Sequence, residues 1–563
     1  MTARGRQPRR AAPTLEGRGK PPRGAKPRVA AEGASRKGAP KSAVKTPRAS
    51  AGGKTSPSSR PAVPPFRKVL IANRGEIAVR VIRGCHELGI RTVAVYSDAD
   101  REALHVRYAH EAYRIGPPAA AESYLRMDRI LEAAKASGAE AVHPGYGFLA
   151  ENAAFARACR DAGLVFIGPP PDAMEALGNK VRARELMTAA GVPVVPGSPP
   201  LGEDPAEVAR IAAGIGYPVL LKAAAGGGGK GMRVVRDPKE LPSLLAQARG
   251  EARSAFGDDR VFIERLVLRP RHVEVQILAD GKGHAIHLGE RECSIQRRHQ
   301  KLIEECPSPV VDEATRRRIG ELAVRAARAS GYVNAGTVEF LRGADGSFYF
   351  MEVNARLQVE HPITELVYGI DLVKAQLVIA AGGTVPVRQE EVVPRGHAIE
   401  CRIIAEDPSR NFMPAPGTIR GLRAPSGPGV RYDGGTFPGW TVPVHYDPLL
   451  SKLCTWGRDR DEAIDRMARA LDEYRVDGLS TSISFHRQVM SHPAFRRAEL
   501  HTGFLEEHPE LLVLKDNPWL DEVYVVAAAV ARFRRVEEES ARGAESSAPA
   551  SAWKWAGRRG FAR

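Results

Sequence analysis

Two stretches of the chain carry residue types at spacings that suit a polyphosphate and a hard cation. The first is "KAAAGGGGKGM", residues 222–232, set between the apolar runs "PVLL" and "RVV". Consecutive glycines forgo side-chain packing and raise the entropy lost on folding, so a fold that keeps them needs unusual dihedrals or close approach to a ligand. Backbone N–H groups flanked by Lys222 and Lys230 suit phosphate oxygens. A P-loop is excluded, because GxxxxGK[ST] must lead into a helix, whereas Lys230 is followed by Gly231 and then β-branched residues. With residues 218–222 and 232–235 both reading as strands, the glycines form a flap joining them. A plain surface loop is the competing reading.

The second stretch is "NAGTVEFLRGADGSFYFMEVNARLQVEHP", which reads as a strand, a turn at residues 343–346 and a second strand. Glu352, Asn354, Arg356, Gln358 and Glu360 occupy every second position, with Val353, Ala355, Leu357 and Val359 between them. If the chain stays extended, all five polar groups share one face, and Glu339 of the first strand can join them. Two carboxylates and an amide oxygen form a ligand set that Mg²⁺ takes, completing its shell with phosphate oxygens. A solvated sheet face is the alternative. The run "ERECSIQRRHQK" concentrates Glu290, Arg291, Gln296, Arg297, Arg298, His299 and Lys301, which reads either as an anion site or as solvated surface. Lys180 lies at the expected start of a helix in "ALGNKVRARELM".

These residues need elements to hold them. From Phe66, "RKVLIAN", "GEIAVRVIRGCHELG" and "RTVAVYS" read as strand, helix and strand, and the pattern continues through "AVHPGYG", a helix over about residues 151–162, and "LVFIGPP". This is Rossmann-like, but its first turn is "NRGEIA" and not GxGxxG, which disfavours a dinucleotide. A helix is expected near residues 312–330. From about residue 394, short strands punctuated by Pro and Gly imply an antiparallel, barrel-like domain, closed by the amphipathic "RDEAIDRMARALDEY". One more helix, "WLDEVYVVAAAVARFRRVEE", follows residue 508. The expected class is therefore multidomain α/β and α+β.

The 563 residues carry a net charge of +17, but residues 1–65 hold 16 Lys and Arg against Glu16 and Glu32, a net of +14 that leaves +3 for the rest. That segment has no aromatic residue and is rich in Pro, Gly, Ala and Ser, a composition expected to be disordered. A polyanion contact through it is an alternative use. Its prolines argue against the amphipathic helix of a mitochondrial address. Cys85, Cys159, Cys293, Cys306, Cys401 and Cys454 include no CxxC pair, which fits a reducing compartment better than a zinc site or disulfide scaffold. No stretch reaches the apolar length of a membrane span, and a cytoplasmic location is expected.

A glycine flap, an upstream lysine and a two-strand acidic face together match ATP-grasp ligases. "IANRGEIAVRVIR", "HPGYGFLAEN", "GNK", "KAAAGGGGKGM", "RHVEVQ", "ERECSIQRRHQK", "FMEVNARLQVEHPITE", "GHAIECRIIAEDP" and "TVPVHYDPLLSKL" in this order resemble biotin carboxylase, the ATP-dependent component of acetyl-CoA and related acyl-CoA carboxylases. The resemblance covers about residues 66–508. It implies a biotin carboxylase N-terminal (pre-ATP-grasp) domain over 66–178, an ATP-grasp domain over 179–393 and a C-terminal domain over 394–508, with a basic tail over 1–65 and a helical extension with a polar tail over 509–563.

The resemblance also implies roles. Lys180, Lys222, Glu264, Arg265, Leu266, Val267, His272, Gln296 and His299 would bind ATP, with Gly228 and Gly229 in a lid over its phosphates. Glu339, Glu352 and Asn354 would ligate Mg²⁺ or Mn²⁺, as two ions. Lys301, Arg356, Gln358 and the backbone of Val359 would hold bicarbonate, whose proton Glu360 would take. The resulting carboxyphosphate would yield CO₂ and phosphate, and the phosphate would deprotonate biotin. Arg402 would stabilise the biotin enolate, Arg356 the carboxyphosphate, and Asp447 would lie on the biotin side. No Met-Lys-Met biotin-acceptor tripeptide occurs, so biotin is expected on a separate biotin carboxyl carrier protein, with a separate carboxyltransferase, and the enzyme is expected to be a homodimer. Another ATP-grasp carboxylate–amine ligase would explain the ATP and metal residues, but not the pair Arg356 and Arg402.

Overall fold

The computed structural model describes residues 64–224, 232–513 and 518–547. The basic segment up to residue 63, the glycine run with Gly228 and Gly229 expected to form a lid, residues 514–517 and the polar end after residue 547 lie outside the described residues.

The N-terminal part is a five-stranded parallel sheet in the order Glu111–Gly116, Arg91–Ser97, Lys68–Ile71, Ala141–His143, Val165–Phe166. This is the arrangement expected from its strand–helix alternation. Its first helix, Gly75–Glu87, buries Ile77, Ala78, Val81, Ile82 and Cys85, the i, i+4 stripe that apolar periodicity requires. The same helix also buries Glu76 and Arg80. The "NRGEIA" turn spends its polar groups internally. Asn73 Nδ2 donates to the carbonyls of Pro144 and Tyr146, both at 2.7 Å, and Arg74 forks onto buried Asp100 at 2.6 and 2.7 Å.

The next part has a small antiparallel sheet centred on Val219–Ala223, flanked by Arg233–Val235 and Val261–Arg265. The two strands expected on either side of the glycines are therefore paired with each other. An eight-stranded antiparallel sheet follows: Phe348–Asn354, Asn334–Arg342, Arg271–Ala279, Ala285–Arg297, Gln300–Cys306, His397–Ile404, Leu449–Gly457, Val430–Gly434. It runs across the boundary expected near residue 393, because Ile303 pairs with Cys401 and Cys306 with Ala398. Beyond that point the sheet stays open. Two further pairs, Glu406–Asp407 with Met413–Pro414 and Gly421–Arg423 with Arg475–Asp477, are separate, so among the described residues no closed barrel forms. The helices Glu313–Ala329 and Arg460–Glu473 stand where periodicity expected them, and Pro518–Ser547 is one long helix.

A further expectation fails after the acidic strand. The alternating polar run does not stay extended: the strand ends at Asn354, and Glu360 is already the cap of the helix His361–Tyr368, with Pro362 in its first turn. Ala355 and Leu357 are buried, Leu357 in the core shared with the first helix, so the connecting turn is pinned by its apolar members while its polar members diverge.

A bulge between His287 and Glu290 sets the centre of the sheet. Gly289 sits there at φ +65°, and a Cβ would overlap the Tyr368 hydroxyl, so only glycine fits. The extra residue turns the strand so that Arg291, and not Glu290, pairs with Glu274 on the neighbouring strand. Without it two carboxylates would face each other.

Candidate active site

Strands Arg271–Ala279, Asn334–Arg342 and Phe348–Asn354 lie side by side, which brings Glu274 into register with Glu339 and Glu339 with Glu352. Lys301, just past the hairpin turn, projects into this acidic row. Its Nζ lies 2.5 Å from Glu274 Oε2, 2.8 Å from Glu339 Oε1 and 2.8 Å from Glu360 Oε1, all buried. The other oxygen of Glu360 accepts from Arg402 at 3.0 Å, and Arg402 Nε donates to Glu304 at 2.7 Å. Buried Arg291 donates to Glu274 at 2.5 Å and to Gln276 and Thr364, both at 2.8 Å. Glu274, Glu304, Glu339 and Glu360 thus each accept from at least one of the three cations, the pairing that burial demands.

The electrostatic consequences follow from that packing. Burial works against the charged form of Glu360, but Lys301, Arg402 and Arg291 outweigh it and hold the carboxyl well below the usual range. Glu339 is likewise held low against burial, by Lys301 and His272, whose Nε2 is 3.0 Å away. Glu352 goes the other way: burial and the charge of Glu339 raise it. A carboxylate raised by a like-charged neighbour is one that a cation would relieve. Asn354 Nδ2 donates to Glu339 Oε1 at 2.7 Å and Glu352 stands opposite Glu339 in the hairpin register, so the three residues expected to hold a metal lie on adjacent positions, with carboxylate and amide oxygens of the kind Mg²⁺ takes. Burial raises Glu304 to about 7, opposed mainly by Arg402.

Arg356 is held on three sides: Nε donates to Glu151 at 2.9 Å, Nη1 to Gln358 at 3.2 Å and Nη2 to Asn354 at 3.2 Å. The carbonyl of Val359 accepts from Lys452 at 2.9 Å, and that fully buried lysine lies 3.2 Å from Glu76 on the first helix. Burial raises Glu76 to about 7, with Lys452 opposing. Toward the small sheet, Glu264 pairs with Lys222 and Arg184, both at 2.6 Å. Burial lowers Lys180, with Glu352 opposing and Lys222 adding to it. Gln296 is buried and pairs with Lys301 across the hairpin.

Other expected residues stay apart from this cluster. His299 is exposed on the hairpin turn, at φ +68°. Arg265 is exposed and donates to the Tyr349 hydroxyl, while Leu266 joins the fold through its backbone N–H to Pro218. Val267 is half-buried beside it. Asp447 is exposed and accepts from the N–H of Leu449 at 2.9 Å, with no contact to Arg402. Conversely, Glu151, Glu274, Glu304 and Lys452 carry no role in the sequence reading, and Arg291 figures there only as one of the cations of a candidate anion site. The alternation His272, Glu274, Gln276 in "RHVEVQ" carried a signal for one of them, since it repeats the polar spacing that marked the acidic strand.

Comparison with known proteins adds an independent line. Residues 65–174 match the family model for the biotin carboxylase N-terminal domain, 179–388 the carbamoyl-phosphate synthase L chain ATP-binding domain, and 400–507 the biotin carboxylase C-terminal domain. The chain is 54% identical over 442 residues to a biotin carboxylase of Nostoc sp., covering 78% of this chain and 99% of that one. It is 53% identical over 444 residues to biotin carboxylase 1 of Bacillus subtilis, covering 79% and 99%. Among solved structures, the biotin carboxylase domain dimer of the Hydrogenobacter thermophilus 2-oxoglutarate carboxylase, in complex with MgADP, ADP and bicarbonate, matches with a TM-score of 0.76 and 47% identity, covering 80% of this chain and 99% of that one. A biotin carboxylase complex from Campylobacter jejuni matches with a TM-score of 0.76 and 45% identity, covering 79% and 99%.

Proposed function

The chain belongs to the biotin carboxylase family, and on that premise we propose that it carboxylates carrier-bound biotin with ATP and bicarbonate as the first half-reaction of an acyl-CoA or related carboxylase. The observation that carries this reading is the chain of buried ion pairs Lys301–Glu360–Arg402, in which one carboxylate lies between an ammonium and a guanidinium.

Bicarbonate would sit between Lys301 and the fork of Arg356, with Gln358 and the Val359 N–H completing its hydrogen bonds. Lys452, itself paired with Glu76, fixes the Val359 peptide, and Glu151 fixes Arg356, so the turn that would bind the anion is held from both the C-terminal and the N-terminal domains. Glu360 enters the reaction ionised, the form a base needs, and its place at a helix N-terminus favours that charge. Its two cations also make it a weak base. Once Lys301 turns to the substrate anion, Glu360 loses part of that stabilisation and its affinity for the bicarbonate proton rises. The deprotonated oxygen then attacks the γ-phosphate, giving carboxyphosphate and ADP.

Lys180, Lys222, His272 and Gln296 would hold ATP, with Glu264 positioning Lys222. Glu339, Glu352 and Asn354 would hold Mg²⁺ or Mn²⁺, which when bound neutralises the phosphate oxygens. Arg402, anchored by Glu304, would stabilise the biotin enolate oxygen after Glu360 releases it. The lid role of Gly228 and Gly229, and the roles of His299, Arg265, Leu266, Val267 and Asp447, rest on the family pattern alone. We further propose a cytoplasmic homodimer working with a carrier and a carboxyltransferase. Relatives named as parts of larger carboxylases, such as a propionyl-CoA carboxylase alpha chain of Ruegeria pomeroyi 48% identical to this one, support such partners. Among the described residues no helix is long and apolar enough to cross a membrane.

The test is ADP release with Mg²⁺-ATP and bicarbonate, with and without free biotin, for wild type and Arg402→Ala. Biotin should stimulate the wild type and not the variant, while basal release persists in both. Absence of any biotin effect in the wild type would favour a different ATP-grasp ligase.

A further inference from the structure

We propose that His492, His508 and Glu510 form a zinc-class divalent metal site, built from residues that take no part in the active site. Among the described residues, the three come from three adjoining elements. His492 ends the helix Ile483–Ser491, His508 ends Phe504–Glu507, and Glu510 lies in the turn Pro509–Leu512. One carboxylate oxygen, Glu510 Oε1, lies 3.3 Å from His492 Nε2 and 3.1 Å from His508 Nδ1. All three ligand atoms fall within 4.8 Å of one another. Tetrahedral zinc with bonds of about 2.0–2.1 Å sets its ligand atoms roughly 3.4 Å apart, so two of the three separations are close to the bound geometry.

The surroundings fit a metal better than an accidental contact. The two imidazoles lie with centroids 4.5 Å apart and planes at 59°, so the rings converge without stacking flat. Phe504 packs against both, at 4.7 Å from His508 and 5.9 Å from His492, and makes the inner wall apolar. Among the described residues Nδ1 of His492 is buried without a hydrogen-bond partner, and the polar contact of that ring is made through Nε2, toward Glu510. Glu510 is exposed, which leaves the outer side open for water as a fourth ligand. Gln488 ties the same segment to the preceding helix by donating to the carbonyls of Leu511 and Val513, at 3.3 and 3.0 Å. A metal here would clamp residues 508–513, the last turn before the terminal helical segment.

The experiment uses the full chain, stripped with chelator and dialysed into excess Mg²⁺, then titrated with Zn²⁺ and separately with Co²⁺. The expected result is about one equivalent of retained Zn²⁺ and the intense visible absorption of tetrahedral Co²⁺. Two variants at solvent-accessible positions, His508→Gln and Glu510→Gln, should each abolish both signals while bicarbonate-dependent ADP release stays at the wild-type rate. Zinc retention at the wild-type level in either variant, or zinc that Mg²⁺-ATP displaces, would overturn the site. So would a wild type that binds no Zn²⁺, which would leave the three side chains as a hydrogen-bonded cluster.

Discussion

Replacing Lys301 by methionine removes one cation from among three carboxylates. Its ammonium lies 2.5–2.8 Å from Glu274, Glu339 and Glu360, all buried, and methionine has nearly its length and no charge. Breaking a buried pair by deleting one partner costs about 3–5 kcal/mol, because the other charge stays desolvated. The pH dependence follows from the direction of each shift. In the wild type, Glu339 and Glu360 are held low in the folded state, so their contribution to stability is present above the unfolded value and lost as pH falls. Without Lys301, burial dominates and raises the group. The folded variant then takes up a proton, and its relative stability is best at low pH and declines as pH rises through the raised folded value. The penalty, read as the difference in urea-unfolding free energy between the two ligand-free chains, should be largest at about pH 8 and shrink by one or more kcal/mol toward about pH 5, a shift of one pKa unit being worth roughly 1.4 kcal/mol. An equal penalty at both pH values, or one below about 1 kcal/mol, would refute the placement of Lys301 as the counter-ion of a buried acidic cluster.

Glu304→Gln removes one of the two carboxylate anchors of Arg402 and should lower biotin-stimulated ADP release about tenfold, a loss of roughly 1.4 kcal/mol in transition-state stabilisation, with the ATP KM unchanged. Because Glu304 is raised to about 7 from 4.5, the wild type loses stability as pH rises through about 7, and the variant should show a flatter melting profile across that window. Glu352→Gln should raise the Mg²⁺ concentration for half-maximal ADP release by at least about tenfold, since even outer-shell changes at metal sites cost 10–100-fold. Glu151→Ala should leave stability within about 1 kcal/mol, because the pair with Arg356 is partly solvated, yet raise the bicarbonate KM through a loosened Arg356; an unchanged KM would count against that positioning role.

The sequence carried more of the local elements than of their long-range meeting. The α/β character of the first sheet was legible because its strands are apolar runs separated by amphipathic helices such as Gly75–Glu87, while the order of its strands was not read. Glu339 and Glu352 were legible as a pair because a short turn fixes the register of their hairpin. The path after Asn354 was not. Alternation alone favours an extended strand, and only the tertiary burial of Leu357 and the helix entered at His361 bend the chain so that Glu360 meets Lys301 and Arg402. Glu76, Glu304 and Lys452 each look ordinary in isolation. Their roles arise from contacts that join residues far apart in the chain, such as Glu76 with Lys452, which no local pattern encodes. The continuous sheet through Cys306 and Ala398 also escaped, because composition changes near residue 394 while hydrogen bonding does not.

The most direct measurement is the transfer of label from radiolabelled bicarbonate to biotin, presented free or on a carrier protein, in the presence of Mg²⁺-ATP. Acid-labile labelled biotin should form in step with ADP, and should vanish when ATP or Arg402 is removed. ADP formation with no label ever reaching biotin would contradict the assignment of this site to biotin carboxylation.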